Sequence, residues 1–161
     1  MSKNIYLVCL LLYLFFSHCK NPNPMQPSLQ VHTLRLHPGD DIMPVLKQFI
    51  AEKNIEAGCI LSAVGSLKQY HIRFANQPEG HKAQGHFEVV SLSGLLSVHG
   101  NHVHLSVSDS TGRTIGGHLL DGNLVYTTLE LVIGEDPAHV YQRETDSTFG
   151  YKELVVKPKG T

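Results

Sequence analysis

Residues 100–122, GNHVHLSVSDSTGRTIGGHLLDG, leave few folds open. Val103, Leu105 and Val107 alternate with His102, His104, Ser106 and Ser108, the period of two expected of a strand with one buried face. Asp109-Ser110-Thr111-Gly112 is a turn cluster. On the return strand Ile115 and Leu119 share one face and Thr114, Gly116 and His118 the other. Both strands agree on which face is apolar, so the hairpin can slip only in even steps. In the register centred on the turn, His118 lies opposite His104. Three imidazoles then share a polar face, with cross-strand Cβ atoms roughly 5 Å apart.

Imidazole nitrogens converging in this way suit zinc or a similar divalent transition metal. The chain has 11 histidines, and an ordinary polar sheet face also carries some of them. His-x-His with a third histidine across a hairpin is what turns the reading to a metal or a catalytic histidine cluster. Gly116-Gly117 points the same way, because glycine inside a strand marks a close approach to the backbone. A β-bulge or a barrel corner is the other reading of that pair.

The 161 residues suit one domain with a full core. Lys3 is the only charged residue before Cys19, so the remainder carries 12 basic and 14 acidic residues. That balance gives no general attraction to nucleic acid. The cysteines are Cys9, Cys19 and Cys59, and two of them fall in the leader. Cys59 alone builds neither a disulfide framework nor a CxxC metal site; it reads as a small apolar side chain.

Residues 1–19 have a short basic start, an apolar core over 5–16 and then Ser17-His18-Cys19. This is the pattern of a secretory signal peptide, too short for a membrane span. Cys19 resembles the lipidation cysteine of bacterial lipoproteins, with His18 where a small residue is usual. The expected location is therefore outside the cytoplasm, in the cell envelope or periplasm, with membrane contact only through the leader or a lipid on Cys19. Residues 20–28 are a proline-rich linker.

The domain is expected over residues 29–157, with a tail at 158–161. Residues 31–37 alternate as a first strand. Asp41 is the expected helix N-cap, with Pro44 in the first turn. Ile42, Val45, Leu46, Phe49 and Ile50 then form one helical stripe. Strands follow at 59–64 and 69–76, a glycine- and proline-containing loop at 77–85, and strands at 85–93, 95–99, 124–133, 138–143 and 151–156. One main helix on a largely antiparallel sheet makes this an α+β domain. It has no phosphate-binding glycine loop, no GxSxG elbow and no HExxH helix.

Gly65-Ser66-Leu67, Phe87-Glu88-Val89-Val90-Ser91-Leu92-Ser93-Gly94, the His102–Asp109 stretch, Gly116-Gly117-His118-Leu119 and Thr127-Thr128-Leu129-Glu130-Leu131-Val132-Ile133 occur in the order of the PPC domain. The chain resembles this "plants and prokaryotes conserved" family over nearly all of the exported part. The resemblance implies the antiparallel α/β fold and a homotrimer. It also implies metal binding through the histidines that match His102, His104 and His118, as in several bacterial members. Glu130 matches the family's glutamate on the following strand; it is a fourth ligand, an acceptor that orients an imidazole, or an outward residue at a subunit contact. Plant members carry DNA-binding AT-hooks, which this chain lacks.

Three functions compete. One is a metal site, zinc foremost, with hydrolytic or hydration chemistry and Glu130 or Glu88 as general base. Another is DNA binding by family analogy, which would use Arg143, Lys152, Lys157 and Lys159. The third is a trimeric module that binds an unknown small molecule without chemistry.

Overall fold

Every strand pairing in the structure is antiparallel. The structure, a computed structural model, describes residues 28–160. The expected leader with Cys9 and Cys19, and all of the linker but its last residue, lie outside the described residues. Eight strands and one helix follow in order: β1 (Gln30–Leu36), α1 (Ile42–Lys53), β2 (Gly58–Arg73), β3 (Gly80–Leu96), β4 (His102–Ser108), β5 (Thr114–Leu119), β6 (Leu124–Glu135), β7 (His139–Thr145) and β8 (Lys152–Pro158). β1 to β6 form one sheet in the order β1-β6-β2-β3-β4-β5, while β7 and β8 pair as a separate hairpin. The fold is the expected α+β domain on a largely antiparallel sheet, with a single helix among the described residues.

Helix α1 has the expected start but a different cap. Asp41 has the extended backbone of an N-cap without a side-chain cap bond. Its carboxylate instead accepts hydrogen bonds from the backbone N–H of Gly122 and Asn123, at 2.6 and 3.0 Å. The helix is thereby tied to the β5–β6 turn. Asn54 closes α1 in the left-handed region, at φ 51°. Ile42, Leu46 and Ile50 are buried in one core with Leu36, Leu67, Leu129, Leu131 and Ile133. Each such side chain stabilises the fold by about 1.5–3 kcal/mol through apolar burial.

Strand β2 departs from the sequence expectation. The two strands expected at 59–64 and 69–76 are one 16-residue strand, bent by register shifts against β3 and β6. A bulge adds a residue and curves the strand without ending it. Gly65 lies at one such bend: a Cβ there would sit 2.1 Å from the Thr128 carbonyl oxygen. Most of the expected 77–85 loop is strand as well, since β3 begins at Gly80. Glycine and proline suggested a loop, but Tyr70 pairs with Ala83 and Ile72 with His81, and the rings of Phe74 and His81 stack at 5.2 Å. The curved end of β2 pairs with β5 through Ile72–Leu119 and Arg73–His118. Strands β2 to β5 thus close on themselves.

Candidate metal centre

The β4–β5 hairpin places the three histidines. Val103, Leu105 and Val107 are buried, so the intervening residues 102 and 104 must point outward. Asp109 fixes the turn: its carboxylate accepts from the backbone N–H of Thr111 and Arg113, at 2.8 and 3.1 Å. With the turn set, His104 pairs with His118 and Ser108 with Thr114. The expected register is the observed one.

Ring centroids lie 4.9 Å apart for His102 and His104, 5.2 Å for His102 and His118, and 5.7 Å for His104 and His118. One ring nitrogen from each of the three falls within 4.8 Å of the others. Three nitrogens around a tetrahedral zinc stand roughly 3.3 Å apart, given zinc–nitrogen distances of about 2.0–2.1 Å. Small rotations of the exposed His102 and His104 rings and the half-buried His118 ring cover that difference, so the donor set fits the ion. Burial pulls His118 below the ordinary imidazole range, and His102, Arg73 and His104 push it further down. His102 is lowered too, first by burial, then by His104, Arg143 and Arg73, with Glu153 opposing. Both rings are thus biased toward the neutral form that coordinates metal.

Gly117 is where another element meets the hairpin. A Cβ there would lie 2.5 Å from the Arg73 carbonyl oxygen. The close approach expected at Gly116-Gly117 is that of β2, which seats β5 and fixes where His118 stands.

The two glutamates expected as bases stand apart from the histidines. Glu130 is exposed on β6, paired with Arg35 of β1 and Val64 of β2. Three strand steps separate it from β4, about 14 Å along the sheet. Glu88 pairs with Ser108, at the far end of β4 from His104, which faces Ser93. Four residues of strand are about 13 Å. The carboxylate beside the histidines is that of Glu153 on β8, which shares a cleft with His102 and His104. Sequence reasoning missed Glu153 and Arg73, since neither strand periodicity nor spacing links them to the hairpin. Half of the basic cluster expected at the C-terminal end is paired, and Arg143 and Lys152 take part in no ion pair among the described residues. Lys157 meets Glu144 at 3.0 Å and Lys159 meets Glu56 at 2.6 Å.

Comparison with known proteins matches residues 24–137 to the Plants and Prokaryotes Conserved (PCC) domain. The chain belongs to this family. It is 42% identical over 143 residues to the bifunctional protein GlmU of a Synechococcus strain, a match covering 88% of this chain and 23% of that protein. The chain therefore spans less than a quarter of the length of the curated relative it matches. A hypothetical protein from Salmonella superposes with a TM-score of 0.81 at 39% identity, over 82% of this chain and 96% of that one. A metal-containing protein from Archaeoglobus fulgidus superposes with a TM-score of 0.67 at 27% identity, over 78% and 93%. Within the family match lie all three histidines, whereas the β7–β8 hairpin follows it.

Proposed function

We propose that this PCC domain binds a divalent transition metal, zinc foremost, through ring nitrogens of His102, His104 and His118. The observation that carries the reading is their convergence to within 4.8 Å on an accessible sheet face. It is supported by the similarity to a protein named metal-containing. A zinc ion held by these three imidazoles would supply Lewis acidity and would activate water for hydrolytic chemistry near neutral pH. The hairpin's part is to hold three rings in place before the ion arrives. Glu153, which lines a cleft with His102 and His104, replaces Glu88 and Glu130 as the candidate general base. The reading rests on the imidazoles and needs no basic face for nucleic acid.

Zinc titration against a competing chelator tests this. The expected result is one tight site per chain, weakened at least a hundredfold in His104→Ala with the fold retained. Equal affinity in the variant would falsify the assignment.

We further propose that the domain self-associates as a trimer, the assembly its family resemblance implies. Leu29, Val31, Leu61, Val64 and Val90 are large apolar side chains left exposed on or beside β1, β2 and β3. Burying them against other copies is the favourable outcome for such a surface.

A further inference from the structure

Next to the three imidazoles, the end of β2 and the β7–β8 hairpin enclose a cleft of about 880 Å³. Arg73, Arg143 and Lys152 line it together with His102 and His118. Glu153 is the one carboxylate on that lining. None of the three cations takes part in an ion pair among the described residues. Lys157 and Lys159, close by in sequence, are both neutralised. Histidines aside, the cleft wall carries two positive charges more than negative ones.

The two arginines are held in place. Arg73 is the strand partner of His118, so both side chains leave the same face of the sheet. Its guanidinium donates to the Gln77 carbonyl at 3.3 Å, which leaves its other N–H groups for a ligand. The stem of Arg143 lies against Gly100, where a Cβ would come within 3.1 Å of its Cγ. Arg143 comes from β7 and Arg73 from β2, so they reach the histidines from different elements. A guanidinium fork matches the oxygens of a carboxylate or phosphate, and holds them more firmly in a cleft than on an open surface. The volume falls in the range of small-molecule sites, about 300–1,000 Å³.

We propose that this cleft binds a small molecule bearing a carboxylate or phosphate group, with Arg73 and Arg143 gripping the oxyanion beside the histidine centre. The inference takes the histidine cluster as the working centre of the domain and so rests on the metal reading. Arg73 orients the ligand against His118, and Arg143 closes on it from the hairpin. Lys152 adds charge at the rim.

Calorimetry with inorganic phosphate and with succinate tests it on the full chain, both zinc-loaded and metal-stripped. The expected result is saturable binding of at least one of them, weakened tenfold or more in Arg73→Gln and in Arg143→Gln. Zinc stoichiometry stays unchanged in both variants. Lys68→Gln, an exposed lysine off the cleft, retains full anion affinity. Phosphate preferred over succinate assigns a phosphate ligand, and the reverse a carboxylate. No saturable binding of either anion, binding unchanged in Arg143→Gln, or an equal loss in Lys68→Gln would each overturn the proposal. Anion binding that depends on Arg143 in a chain that takes up no zinc would refute the metal reading and leave this one standing. Zinc uptake without anion binding would do the opposite.

Discussion

Asn123 has no exposed surface, and its carboxamide closes the backbone where three elements meet. It accepts from the His71 N–H at 2.8 Å and donates to the carbonyls of His71 and Leu120, at 3.0 and 2.6 Å. Asn123→Ala strands those buried groups, and a buried polar group without a partner costs about 1–3 kcal/mol. Urea denaturation is expected to show a loss of about 2–3 kcal/mol. Asp109 is the second residue with a predictable signature. Hydrogen bonds, first from the Thr111 side chain and then from the Thr111 backbone, hold its carboxyl below the usual range. Its folded pKa therefore lies under its unfolded one. The stability it contributes is fully present above the unfolded value near 3.9 and is lost as pH falls through the folded value. Urea midpoints followed from about pH 5 to pH 2.5 should fall less steeply in Asp109→Asn than in the parent. A parallel fall in both would contradict this. His102, His104 and His118 were legible because their placement needs only strand alternation and a four-residue turn. How far Glu88 and Glu130 stand from the histidines was not legible, because an exposed glutamate on a neighbouring strand looks the same in sequence whether it is near the site or three strands away.

The hairpin could be read from the sequence as an element because its contacts are local. Strand β2 could not, because its shape is set from outside. Its bulges follow from serving β3 and β6 along its length and β5 at its end. Gly117 is the residue where that long-range contact bears on the site. In Gly117→Ala a methyl group would have to displace the Arg73 carbonyl, which lies 2.5 Å from where it would stand. Overpacking of this kind costs about 1–3 kcal/mol. The same shift moves His118 off its partners. Gly117→Ala should therefore lose both stability and zinc affinity, whereas Gly112→Ala, at a turn glycine with nothing within 4 Å but a φ of 83°, should lose some stability through backbone strain and keep its zinc affinity. Zinc titration of the two variants checks this. Equal affinity in Gly117→Ala would mean that the β2–β5 contact does not position the third imidazole.

On the scale of the whole molecule, the closed β2–β5 unit carries the site and the β1–β6–β2–β3 side carries the exposed apolar strip. The two features are separable. Val64→Asp places a charge on a position 65% exposed in the single chain, so it should leave the fold intact and break the assembly. Light scattering is expected to show a trimer for the parent and a single-chain mass for the variant. A trimer in both would place the contact elsewhere. The fold class and the strand order along the chain followed from alternating apolar patterns, but the cleft beside the histidines did not. It forms only when β2 curves back and the β7–β8 hairpin is laid alongside, and no local pattern records either event. X-ray absorption at the zinc edge reads whether one ion is shared by three imidazoles. The expected spectrum is that of a zinc shell with three imidazole nitrogens at about 2.0–2.1 Å in the full chain, one of them lost in His104→Ala. A shell of oxygen or sulfur ligands, or a spectrum that His104→Ala leaves unchanged, would contradict it.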